Sequence, residues 1–250
     1  MTTNTTTTNF DVKEQVHSST LSVASCSTLC TLHESTSFQP SRILTVNAQG
    51  IAAFRLPLPS RQMKIVIYNT DGSEAYVSTR DKRWSGDAVL SHPNRGDIIR
   101  TEYFFGPNRD PVLHILQAAD LPSVTVTGKW TSRAARFEMP GGKCLEWEYA
   151  KEKRPDGQKV NLLVLNAIAE KADSQEHIRL AQLVRGSDSR TPGTSRCTAG
   201  NGGELQIDEA ALQSLGLDEA LIAATCLMML KKEIDRRRMI QMAVIGGAGS

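Results

Sequence analysis

Three kinds of residue in this sequence could carry chemistry: scattered histidines and cysteines, a pair of neighbouring glutamates, and basic side chains grouped around tryptophan. Cys26, Cys30 and His33 stand close together, as the start of a soft-metal site would. A structural zinc site needs four ligands, and no fourth follows at a suitable spacing, so no metal is expected. Glu146 and Glu148 could share acid and base roles as paired carboxylates do in glycoside hydrolysis. They alternate with Leu145, Trp147 and Tyr149, however, and that alternation by itself assigns them to the wet face of a strand.

The remaining catalytic patterns are missing. His17, His33, His92, His114 and His177 name no triad by their spacing, and neither H-E-x-x-H nor G-x-S-x-G occurs. Gly142-Lys143 is followed by Cys144 and Gly128-Lys129 by Trp130, so there is no phosphate-binding loop of the G-K-[ST] type. The glycines at 200, 202 and 203 lack the strand-then-helix setting of a dinucleotide site. We therefore expect a non-enzymatic chain without a cofactor, the alternatives being a small accessory enzyme with a non-local site or an interaction scaffold.

The basic groups are more suggestive. Arg80, Lys82 and Arg83 surround Trp84, while Lys129, Arg133 and Arg136 surround Trp130. A cation beside an indole suits an anionic head group at a membrane interface, and these six residues are the candidate ligand-binding set. Two ordinary solvated turns would have the same composition. The run Lys231 to Arg238 could attract anionic lipid as well, or complement the C-terminal end of a helix dipole. With 29 Lys plus Arg against 27 Asp plus Glu, any basic site must be local, and nucleic acid is not an expected partner.

These residues need a scaffold, and the sequence outlines one. The chain has 250 residues, of which 40% are apolar and 22% charged, within the range of globular proteins. Residues 1–37 are rich in Thr and Ser and read as a disordered leader with neither signal nor transit features. The odd cysteine count fits a reduced, cytoplasmic chain. Short apolar runs then recur at close spacing: Ile43–Val46, Met63–Tyr68, Ala75–Ser78, Ile98–Phe105, Val112–Leu116 and Val124–Thr127. Such spacing predicts antiparallel strands. Asn69-Thr70-Asp71-Gly72 marks one hairpin, and Pro140-Gly141-Gly142 joins the alternating stretches 135–139 and 145–149 in another. Val160–Leu165 is almost continuously apolar and should be covered on both faces, and His177–Val184 could add a strand. Residues 185–203 read as a long loop before Glu204–Ile207. A helix is expected from Leu217 to Ile245, with Ala220–Leu230 apolar on every side. That stretch is too short to span a bilayer, so it belongs in a core or an oligomer seam.

The strand CLEWEYAKEK, the strand after the DG turn, the late strand GELQID and the helix LDEALIAATCLMMLKKEIDRRR follow one another in an order that resembles the fungal tubby C-terminal-like proteins. Their superfamily also holds the LURP-one-related proteins and the phospholipid scramblases. The resemblance covers about residues 38–245 and implies a mainly β (α+β) fold: a closed antiparallel β-barrel of about twelve strands around a hydrophobic C-terminal helix, with residues 246–250 as a frayed tail. It further implies a binding module for anionic phospholipid head groups or a protein partner, at a cytoplasmic or peripheral-membrane location. No ligand positions of the family carry over residue by residue. The acidic calcium segment and clustered cysteines of scramblases have no counterpart here, so lipid scrambling is not expected.

Overall fold

The computed structural model describes residue 1 and residues 38–53, 58–104, 110–118, 122–128, 132–139, 141–153, 157, 159–171 and 174–247. The Thr/Ser-rich leader, the Cys26, Cys30 and His33 group and Lys129 lie outside the described residues.

Twelve strands form one closed antiparallel barrel. In chain order they are β1 (Arg42–Ile51), β2 (Lys64–Asn69), β3 (Glu74–Thr79), β4 (Ala88–His92), β5 (Gly96–Glu102), β6 (Val112–Ile115), β7 (Ser123–Thr127), β8 (Ala135–Glu138), β9 (Cys144–Lys153), β10 (Lys159–Lys171), β11 (Ser174–Arg185) and β12 (Ala199–Ile207). A short helix, α1 (Glu209–Ser214), and a long one, α2 (Glu219–Gly247), follow. Each strand pairs with its chain neighbours, and β1 closes the ring on β12 with Leu44 opposite Leu205 and Val46 opposite Gly203. Closure leaves no open edge to recruit another strand.

Alternation supplies the interior. Leu145 and Trp147 of β9 and Ala135 and Phe137 of β8 are buried, as are Leu44, Val46 and Ala48 of β1, while Glu148 and Arg136 face out. The volume they enclose is filled by α2, whose residues Ala220 to Cys226 are all buried. An element apolar on every side leaves water only if every side meets protein, and a barrel interior provides that. Thr225, the polar interruption, is satisfied twice: the Trp147 indole N–H donates to its hydroxyl at 3.0 Å, and the hydroxyl donates to the Ile222 carbonyl at 3.0 Å. On β10, Leu163 and Leu165 belong to this core, whereas Val160, Leu162 and Val164 form a separate buried cluster with Val184, so both faces of the apolar run are covered as expected.

Both expected hairpins form: Val66 faces Val77 across the Asn69–Gly72 turn, and Phe137 faces Leu145. Several expectations need correction. β4 gave no periodic signal because it has five residues and buries only Leu90. Strand β5 stops at Glu102 instead of reaching Phe105, and β10 and β11 extend well beyond the expected 160–165 and 177–184. Helix α1, capped by Asp208 Oδ1 accepting from the Ala211 N–H at 3.0 Å, is too short to show a period. The loop expected to reach residue 203 ends at 198, and the glycines that suggested it are strand residues of β12. They are glycines because space runs out there. A Cβ on Gly202 would lie 1.9 Å from the Val46 carbonyl oxygen, and one on Gly200 would lie 2.6 Å from that of Leu230 in α2.

Candidate functional site: a cationic cleft where the helix leaves the barrel

In an up-and-down barrel successive connections alternate between the two ends, so β1–β2, β3–β4, β5–β6, β7–β8, β9–β10 and β11–β12 all lie on one rim. Helix α2 begins at the opposite rim. There Glu219 accepts from Arg42 Nε at 2.8 Å and from the Tyr76 hydroxyl at 3.0 Å, and Asp218 lies 3.3 Å from Arg95. It emerges through the rim that carries the six connections named above, here called the exit rim.

Two buried carboxylates fix the helix as it leaves. Glu233 Oε2 accepts from Arg185 Nη1 at 2.8 Å and from the Gly200 amide at 2.7 Å, and its Oε1 accepts from the Tyr149 hydroxyl. Burial alone would raise the Glu233 carboxyl, but the Arg185 guanidinium and these hydrogen bonds outweigh it and hold the group below its ordinary value. Burial and the neighbouring Glu233 charge push the Tyr149 hydroxyl far up, so it stays a donor. Two residues on, Asp235 accepts from Lys231 Nζ at 2.6 Å and lies 3.4 Å from Arg238 Nη1. Burial lowers the Lys231 ammonium, with Asp235 opposing the shift.

Beside this anchor lies a cleft of about 720 Å³, bounded by the β7–β8 and β11–β12 connections, the adjoining ends of β9 and β10, and α2. Arg133, Lys151, Arg185, Arg196, Arg236 and Arg237 line it, and Glu233 is the one carboxylate among the lining residues. Since Glu233 is engaged by Arg185, the positive charge of the other five is uncompensated within the cleft. Arg236 Nη2 donates to the Ser132 carbonyl at 3.0 Å, which aims the side chain, and its Nε is buried with no partner among the described residues. Arg133 stacks over the Tyr149 ring at 5.8 Å. Guanidinium forks held in this way match phosphate oxygens in pairs, and Thr198, Asn161 and Asn201 add neutral polar groups.

The expected site residues separate. Arg133 lines the cleft. Arg80 lies instead along a narrow slot of about 50 Å³ between α2 and the β1–β5 side of the barrel, where it donates to the Gln62 carbonyl and where burial lowers its pKa. Lys82 and Arg83 are exposed on the same exit rim, in the β3–β4 connection beside Trp84. Arg136 is on the outer face of β8 opposite Glu146, away from the cleft. Sequence reasoning did not select Lys151, Arg185, Arg196, Arg236 or Arg237 for the site, because the fold assembles them from three separate stretches of chain. Only the run at 231–238 carried a signal, and a helix terminus accounts for it equally well.

His114 Nε2 lies 3.4 Å from Glu102 Oε1, and His92 packs edge-on against Tyr76 near the opposite rim. Among the described residues no three His, Cys, Asp or Glu side chains converge as a metal site would require. The fold and cleft together define a closed barrel with an enclosed helix and a cationic mouth. Comparison with protein-family models, with curated proteins and with solved structures finds no match.

Proposed function

We propose that this chain is a non-enzymatic binding module, a barrel of the tubby-like kind, whose exit-rim cleft takes an anionic, phosphate-bearing head group. One observation carries the reading: six basic side chains line the cleft against a single carboxylate that is already paired. Holding that many cations together is unfavourable unless an anion joins them, and arginine outnumbers lysine five to one among them, the composition suited to bidentate phosphate contacts. The enclosed helix and twelve-strand closure support the tubby-like reading of the fold.

Titration calorimetry of the full chain with inositol trisphosphate, a soluble head group, tests this. Binding should weaken at least about tenfold in the variant Arg196→Glu, Arg237→Glu and fall steeply with added salt. Arg196 is exposed and Arg237 only half-buried, so the melting temperature should change little. Affinity that ignores both the charge reversal and salt would refute the proposal, as would no binding to the wild type.

A further inference from the structure

The exit rim has a second property that the cleft does not use. Among the described residues from 38 to 247, every large hydrophobic side chain that is strongly exposed lies on it. Leu58, Trp84 and Phe104 occupy the β1–β2, β3–β4 and β5–β6 connections, and Ile240, Met242, Val244 and Ile245 occupy the end of α2. Trp84 is 67% exposed and Val244 66%, far beyond a partly covered core residue. Arg238 is still buried and Gln241 still donates to the Ala53 carbonyl at 3.0 Å, whereas residues 242–246 are all exposed. The last turns of α2 therefore project from the barrel with their apolar side chains exposed.

The rim is divided. Its β1–β6 half carries Leu58, Trp84 and Phe104 and its β7–β12 half carries the cationic cleft, with α2 rising between them and Ile240 on the cleft side. Charge is polarised along the barrel as well. Counting described residues in the connections and helix ends, the exit rim has twelve basic and six acidic side chains and the opposite rim two basic and five acidic. Such a dipole orients the molecule with this rim toward a negative surface.

We propose that the exit rim docks on an anionic lipid bilayer, with the end of α2 and Trp84 entering the head-group and upper acyl region while the cleft cations meet lipid phosphates. The cleft contribution rests on the head-group reading above; the apolar insertion does not. The dimensions agree. Residues 240–246 at about 1.5 Å each reach roughly 10 Å, the depth at which interfacial helices lie and far short of a span. A tryptophan with cationic neighbours, here Trp84 beside Lys82, Arg83 and the Arg238 guanidinium 5.5 Å above its ring, is suited to that interface.

The test is sedimentation of the full chain with vesicles of four parts phosphatidylcholine to one part phosphatidylserine, alongside pure phosphatidylcholine. The wild type should bind the anionic vesicles and not the neutral ones. The variant Met242→Ser, Val244→Ser, Ile245→Ser, at three exposed positions that do not line the cleft, should lose at least about tenfold in vesicle affinity while keeping its melting temperature and its titration with inositol trisphosphate. Brominated acyl chains should quench wild-type tryptophan emission, and Trp84→Phe should reduce that quenching. Unchanged vesicle affinity in the triple variant overturns the inference, as does a concentration-dependent dimer seen by light scattering without vesicles and abolished by the triple variant, since the projecting helix would then cover a second copy. If vesicles bind through the helix end while inositol trisphosphate does not bind, the head-group reading fails and the docking stands. The reverse result rejects the docking alone.

Discussion

Removing the charge of Glu233 should destabilise the whole barrel. The Glu233→Gln variant keeps the shape and an oxygen that can accept from the Gly200 amide, but it leaves Arg185 as a permanent cation with a side chain only 8% exposed. Its other side-chain acceptor, Asn201 Oδ1, is 3.5 Å away and neutral. Breaking one partner from a buried pair of this kind costs about 3–5 kcal/mol. A chain of this size loses about 2–4 °C of melting temperature per kcal/mol, so a fall of at least about 6 °C is expected in a thermal scan followed by circular dichroism. The double variant Arg185→Met, Glu233→Gln removes both charges while keeping an oxygen for the Gly200 amide and an amide group beside the Tyr149 hydroxyl, and should recover most of the loss, because no buried charge is left unpaired. The pH dependence has a definite sign. Glu233 titrates below the ordinary carboxylate range, so its contribution is complete above about pH 4.3 and disappears as the pH falls through its native pKa. The glutamine variant should lack that acid-dependent share. A Glu233→Gln protein within about 1 kcal/mol of wild type would refute the reasoning, since it would mean that Arg185 reaches water and α2 is not seated as described.

Other consequences are simpler to check. Thr225→Val leaves the fully buried Trp147 indole N–H without its acceptor and should cost about 1–3 kcal/mol in urea unfolding, despite the near-equal volume. Gly202→Ala should prevent folding or shift β12 against β1, visible as lost hydrogen-exchange protection, because the added methyl meets the Val46 carbonyl oxygen. Gly142→Ala at φ +79°, with open space around it, should cost only about 1–2 kcal/mol in the same assay. Burial pushes the Cys226 thiol up to about 12. A native pKa raised in this way gives stability that is intact below the free-thiol value near 9 and lost as pH rises through 12. The wild type should therefore lose up to about 1.4 kcal/mol per pH unit across that window, and Cys226→Ala should lack this share.

The elements were legible where one local rule governs them. In β9 the inward Leu145 and Trp147 alternate with the outward Glu146 and Glu148, and the Gly141-Gly142 turn before them has positive φ at both residues. Helix α2 was legible because eleven successive uncharged residues admit no wet face. The rules failed at β12, where Gly200, Gly202 and Gly203 resemble a flexible loop but are small because β1, β11 and α2 press against them. They failed at α1 and β4 because neither is long enough to display a period. For the candidate site, Arg133 was found through its tryptophan neighbour in the sequence, yet the aromatic ring it meets is Tyr149.

The sequence alone determined the strand-rich character of residues 42–207, the two hairpins and the burial of the helix from Ala220 to Leu230, since each depends on residues within a few positions of one another. Tertiary structure decided the closure of β1 onto β12, the pairing of Arg185 with Glu233, and the gathering of cations from residues 133 to 237 into one cleft on the rim that also exposes Trp84 and the end of α2. These depend on which distant stretches become neighbours, and that is fixed only when a closed ring with alternating connections brings every second loop to the same end.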